Sequence, residues 1–144
     1  MAIALDANVL VFRTNRASAH YERACEVVDA LVGAEELVYL FWPTIVAYLR
    51  VVTVRGALQP PLSIEAAMEN IGALLGSGNF RAAGERPGFW NRLTEAALSA
   101  DAHGKLIHDA HLVALMRQHG VGTIWTNDRD FARFPGIHVV DPFA

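Results

Sequence analysis

The chain has one cysteine, Cys25, and one lysine, Lys105, among its 144 residues. A lone cysteine excludes an internal disulfide and any zinc site built on cysteines. It fits a reducing compartment, so a cytoplasmic location is the expectation. No run of apolar residues is long enough to cross a membrane: the longest, Leu37 to Leu49, contains Pro43. The N-terminus has no basic region and meets Asp6 early, which argues against a signal peptide. A glycine-rich phosphate loop and a recognisable Ser-His-Asp arrangement are both missing, which weakens nucleotide-hydrolase and esterase readings. There is no repeat, low-complexity tract or linker.

Hydrophobic residues make up 53% of the chain, enough for a large core and too many for disorder. One domain spanning residues 1–144 is expected. The formal charge of −3 does not mark a nucleic-acid binder. Discounting the charges of Asp6, Asp109 and Asp128 as neutralised ligands would bring the count to zero. Eleven of the twelve cations are arginine, whose planar fork fits phosphate but also serves on solvated helix faces.

Ala2-Ile3-Ala4-Leu5 is a short apolar run closed by Asp6, the pattern of a buried strand that delivers a carboxylate at its end. A polar stretch, Arg13 to Ser18, follows. Tyr21 to Val32 has helical spacing and Gly33 stops it. Leu37–Phe41 reads as a second buried strand. Pro43 suits the first turn of a helix with Ile45, Leu49 and Val52 inward. After Pro60-Pro61, Ser63 caps a helix to about Leu75. Phe80–Ala83 is a short strand, and Phe89, Leu93, Ala96 and Ala97 mark another helix. A helix over Leu106–His119 ends at Gly120. Strands over Val121–Thr126 and Ile137–Val140 flank a turn at Phe134-Pro135-Gly136. Strands alternating with helices predict a mainly parallel sheet covered on both faces.

Ligands in such folds bind at the carboxyl ends of strands. Asp6 and Asp128 follow strands, and Asp109 lies in the first turns of the helix between them. Converging carboxylates suit Mg²⁺ or Mn²⁺, which keep several waters and accept phosphate oxygens. They also repel one another, which raises at least one pKa until a cation binds. Asn8 is placed to orient Asp6 or to act through water. Thr126 is placed to donate to Asp128 or to a phosphate, and Asp130 to act as a secondary ligand or a turn cap. His108 and His111, three apart around Asp109, could be read as a zinc site, but no third ligand has clear spacing. Cys25 reads as core.

These residues resemble a known family. Leu5-Asp6-Ala7-Asn8-Val9-Leu10 is similar to the opening of PIN-domain ribonucleases, and Leu106-Ile107-His108-Asp109-Ala110-His111-Leu112 to their third-acid helix. Thr126-Asn127-Asp128-Arg129-Asp130-Phe131 is similar to their last acid motif. His20, Leu49-Arg50-Val51-Val52-Thr53 and Phe131-Ala132-Arg133-Phe134-Pro135-Gly136 resemble the VapC-type toxins within it. The resemblance covers essentially the whole chain and implies a three-layer α/β/α sandwich. It implies an endoribonuclease toxin that uses Mg²⁺ or Mn²⁺, leaves 5′-phosphate and 3′-hydroxyl ends, forms a homodimer and is neutralised by a VapB-type antitoxin. Carried over by position, Asp6 and Asp109 are metal ligands and Asp128 is a supporting catalytic acid; Asn8, Thr126 and Arg129 are the candidates for binding the RNA. The family's second acid, a glutamate, is Ala47 here. Glu22 or Glu26 on the first helix could fill that gap.

Two rival readings stand beside this one. Receiver-type and haloacid-dehalogenase-type phosphotransfer domains also carry an Asp after the first strand and use Mg²⁺. Both need a lysine near a strand end, and Lys105 is the only lysine. A catalytically weak binding module is the second rival, because the acid set is incomplete.

Overall fold

Apolar residues of alternate parity in the first two strands pack on opposite sides of the sheet. Ile3, Leu5, Val38 and Leu40 enter one core, while Ala4 and Phe41 enter the other. This period of two follows from the pleat, and burial on both faces explains why these strands read as continuous apolar runs. A computed structural model describes residues 1–144. Its strands are β1 (Ala2–Leu5), β2 (Leu37–Phe41), β3 (Phe80–Ala83), β4 (Thr123–Trp125) and β5 (His138–Val140). They form one sheet in the order β3-β2-β1-β4-β5, and every pair is parallel.

That order decides the layers. Crossovers between parallel strands are right-handed, so their direction selects the face they cover. From β1 to β2 to β3 the chain moves one way, through α1 (Ala7–Thr14), α2 (Tyr21–Leu31), α3 (Trp42–Val52) and α4 (Ile64–Leu75). Val9, Leu10, Val28, Ile45, Tyr48, Ile71 and Leu74 from these helices share the first core. From β3 to β4 the chain moves back, through α5 (Phe89–Ser99) and α6 (Leu106–Gln118), and these helices build the second core. Phe131 and Phe134, around a 3₁₀ turn over Arg129–Arg133, close that core below β5. The result is an α/β/α sandwich whose strand order reverses between β1 and β4.

The sequence pattern does not show the helix that follows β1. Residues 7–14 form α1, although Arg13 and Thr14 read as the start of a polar stretch. The helix starts directly at Asp6, which leaves no loop to signal it. Thr123–Trp125 and His138–Val140 are shorter than the strands expected over 121–126 and 137–140. Ser63 does cap α4, accepting from the Ala66 amide at 3.1 Å. Leu49 is only partly buried, and Tyr48 takes the inward position. Cys25 is not core. It is half-buried beside α1, its Sγ 3.7 Å from the Arg13 carbonyl oxygen.

Candidate active site

The reversal of strand order opens a crevice at the carboxyl ends of β1 and β4, where α/β sheets bind ligands. Asp6 leaves β1 at this point. Its amide donates to the Trp125 carbonyl at 3.1 Å, extending the sheet by one residue. Its Oδ1 accepts from the Ala7 amide at 2.8 Å, so the carboxylate caps α1. The other oxygen, Oδ2, accepts from Thr126 Oγ1 at 2.8 Å and from Asn8 Nδ2 at 3.4 Å. Asp6 is 8% exposed. Burial raises its pKa, and the Thr126 and Ala7 hydrogen bonds hold that rise back.

Thr126 is the hub of this arrangement. Its hydroxyl donates to Asp6, accepts from Asn8 Nδ2 at 3.0 Å and accepts from the Asp128 amide at 2.9 Å. A hydroxyl has one proton and two lone pairs, so its capacity is filled. It is also 0% exposed. The sequence suggests that Thr126 serves Asp128 or a phosphate. In the fold it instead locks Asp6 and the backbone at Asp128. Asn8 bridges the same two strand ends, its Oδ1 accepting from the Asn127 amide at 3.3 Å. Thr126→Val is expected to leave the Asp6 oxygen and the Asp128 amide short of a partner. The cost is about 1–3 kcal/mol of stability and roughly 10–100-fold in activity. Denaturant melts and turnover measurements check both, and an unchanged variant would remove Thr126 from this role.

Asp109 lies one turn into α6, buried at 6% exposure. Its carboxylate, with those of Asp128 and Asp130, forms a cluster whose oxygens lie within 4.8 Å of one another. Burial first, then the charges of Asp128, Asp6 and Asp130, push the Asp109 carboxyl up to about 7. Asp128 caps the 3₁₀ turn, accepting from the Asp130 amide at 2.9 Å. The cap is therefore Asp128 rather than Asp130, and Asp130 is freed to join the cluster. Arg133, 3.7 Å from Asp130, is the one cation paired with it. Arg129 points no side-chain bond inward and is exposed.

The tight cluster thus consists of Asp109, Asp128 and Asp130, and Asp6 is tied to it only through Thr126, which also accepts from the Asp128 amide. The sequence pairs Asp6 with Asp109 instead. Asp130, which the sequence offers as a secondary ligand or a turn cap, joins the cluster and leaves the cap to Asp128. Glu22 and Glu26 are exposed on α2 and neither joins the acids; Glu26 pairs with Arg23. His111 is turned away to Glu85, at 2.6 Å, which lowers the Glu85 pKa. No pair of histidines shares a zinc site with Asp109.

A set of hard oxygen donors with an excess of negative charge fits a divalent cation and does not fit a soft metal. Fold and acid cluster together define the PIN class of α/β domains. The PIN domain family matches residues 3–137. The chain is 44% identical over 144 residues to Ribonuclease VapC48 of Mycobacterium tuberculosis, covering 100% of this chain and 99% of that protein. Among solved structures, VapC20 of Mycobacterium tuberculosis, a sarcin–ricin loop cleaving toxin, superposes with a TM-score of 0.68 at 17% identity, covering 94% and 98% of the two chains. VapBC2 of Rickettsia felis, bound to a DNA fragment from its promoter, gives 0.67 at 13% identity, covering 97% and 98%. The chain belongs to the PIN-domain family, in its VapC ribonuclease branch. No helix is long and apolar enough to cross a membrane.

Proposed function

We propose that this chain is an endoribonuclease toxin that cleaves RNA phosphodiester bonds with Mg²⁺ or Mn²⁺ and is silenced by a VapB-type antitoxin. The observation that carries this reading is the carboxylate cluster at the strand-order reversal, with the Asp109 carboxyl raised to about 7 by burial and like charges. A fold that keeps such repulsion is one in which a cation relieves it.

Asp109, Asp128 and Asp130 would offer oxygens to the ion, and Asp6, at the end of β1, would add its charge from beside them. When bound, the cation supplies charge neutralisation at the phosphate and acidifies water. A carboxylate of the cluster accepts the attacking water's proton. Thr126 and Asn8 keep Asp6 in one rotamer. Arg129, exposed next to Asp128, offers its fork to the RNA backbone. Incubation with RNA and Mn²⁺, with and without a chelator, tests this. Chelator-sensitive cleavage is expected. A phosphotransfer domain or a binding module would leave the RNA intact.

The antitoxin part rests on the structural neighbours, which include a toxin–antitoxin complex of the same fold. Ile64 and Met68 on α4, one turn apart and 53% and 54% exposed, give a protein partner an apolar face. A homodimer is part of the same proposal. Co-expression with a small neighbouring reading frame should raise solubility and silence cleavage.

Ala47 is the departure from the family's acid set. It lines the margin of the site with Arg50 and His108. With one oxygen ligand fewer, binding of Mn²⁺ without RNA should be weak, and Mn²⁺ should outperform Mg²⁺ because it tolerates imperfect geometry. Ala47→Glu is expected to tighten Mn²⁺ by about tenfold, or about 1.4 kcal/mol. Calorimetric titration reads this directly. Unchanged affinity would mean that position 47 does not look onto the acids.

A further inference from the structure

Six of the eleven arginines in this chain are committed, and Arg16, Arg50, Arg55, Arg86 and Arg129 are not. Arg13, Arg23, Arg92 and Arg133 pair with acids, and Arg81 and Arg117 hold backbone carbonyls. Arg50, exposed near the end of α3, is bound to nothing. The histidines divide in the same way. His103, His111 and His119 have partners, while His108 is exposed and free. These two uncommitted donors line one notch of 290 Å³ between α3 and α6, together with Pro43, Val46 and Ala47. No carboxylate lines it.

The notch adjoins the acid cluster. His108 directly precedes Asp109, and its ring is near enough to Asp6 to temper the rise in that residue's pKa. On α3, Trp42, Val46 and Arg50 stand four residues apart and so share one strip. Trp42 and Val46 are 50% and 60% exposed. Trp42 directly follows β2, at the same sheet end as Asp6. Its indole is braced against Gly84, where an added Cβ would come within 2.8 Å of Trp42 Cδ1. The strip therefore carries a held, half-exposed aromatic at the sheet end that bears Asp6 and, two turns on, a free guanidinium beside His108. A chain of net charge −3 with converging carboxylates repels RNA unless local donors offset them.

We propose that this notch seats the unpaired nucleotide next to the scissile phosphate. Arg50 and the His108 ring N–H hold its phosphate, and Trp42 stacks its base. Histidine has a ring N–H in either charge state, so its part does not depend on titration. Stacking on an aromatic needs a base free of pairing, so single strands and loops are preferred over duplex. Ala47 keeps the floor of the notch open, and a glutamate there would set a carboxylate against the phosphate. The proposal rests on the ribonuclease reading above.

The test uses the full chain and a labelled single-stranded RNA oligonucleotide. Affinity is measured by anisotropy in chelator, and kcat and KM are measured in Mn²⁺. Arg50→Gln and Trp42→Ala are each expected to weaken binding about tenfold and to raise KM accordingly. Arg50→Gln should also reduce the salt slope by about one. His108→Ala should lose affinity that His108→Gln, which keeps a donor, retains. Arg16→Gln removes the same charge from the α1–α2 connection and should change nothing. A duplex of the same sequence should bind more weakly than the single strand. If the wild type cleaves RNA while Arg50→Gln and Trp42→Ala bind and cleave like it, this proposal is wrong and the ribonuclease reading stands. If the wild type neither binds nor cleaves RNA, the ribonuclease reading itself fails. A fall in sedimenting mass for Trp42→Ala, with RNA affinity unchanged, would make the strip a contact between copies and overturn the proposal.

Discussion

Asp109→Asn is expected to abolish RNA cleavage and to raise the melting temperature of the metal-free protein. The amide keeps the shape of the side chain but removes the charge that holds a hard cation. The loss in rate should exceed the roughly 10–100-fold that removal of a supporting residue costs. Stability moves the other way because Asp109 is buried among Asp128, Asp6 and Asp130. Its carboxyl titrates at about 7 in the folded protein and at about 3.9 in an unfolded chain. Between those values the native state holds a proton that the unfolded state has released. Stability therefore falls as pH rises from about 4 to about 7, and the penalty is full above that. Melts at pH 5 and pH 8 should show the wild type losing more stability than Asp109→Asn. Mn²⁺ should raise the melting temperature of the wild type and not that of the variant, since a ligand stabilises only the state that binds it. Wild-type cleavage by Asp109→Asn would remove Asp109 from the metal set.

Asp6→Asn should be equally inactive, yet it should be less stable than Asp109→Asn. Both carboxylates are buried, but only Asp6 is held by donors. Thr126 Oγ1 gives its single proton to Asp6 Oδ2. An amide nitrogen in that place presents a second donor, and the hydroxyl's lone pairs already serve Asn8 and the Asp128 amide. Turning the amide moves the conflict to the Ala7 amide, which needs the other oxygen. At least one buried hydrogen bond is lost in either rotamer, at about 1–3 kcal/mol each. Relief of burying a charge offsets part of it. Denaturant melts of the two variants side by side decide the ordering. If Asp6→Asn is the more stable of the two, the Thr126 lock is not what fixes Asp6.

On the proposed reading, the wild type carries the Asp109 repulsion because the acids that cause it would hold a cation. Selection for the strongest fold alone would favour the amide. The two variants therefore separate two kinds of buried acid, one tolerated by the fold and one built into it as a helix cap and strand bridge.

Much of the architecture was legible in the sequence. Buried parallel strands show as short apolar runs, and Leu37–Phe41 and Phe80–Ala83 match the structure at both ends. Ser63, Pro43 and Gly120 mark helix boundaries because each answers a local demand of backbone geometry or hydrogen bonding. Asp6, Asp109 and Asp128 were recognisable as an acid set from their places after strands and at a helix start. The α1 helix was not recognisable, because Asp6 ends a strand and caps a helix in the same residue.

Other features were decided only in three dimensions. Strand order is a property of the crossovers, and it alone places Asp6 beside Thr126, 120 residues away in sequence. Whether a hydroxyl faces substrate or a buried carboxylate depends on that pairing, and no spacing within Thr126-Asn127-Asp128 reveals it. Which aspartate caps the turn and which joins the cluster was likewise settled by the 3₁₀ geometry at Arg129–Arg133. The sequence by itself determined the elements and the acids, since local propensity and periodicity act over a few residues. The tertiary structure alone determined their partners, since those contacts join segments that only the closed sheet brings together.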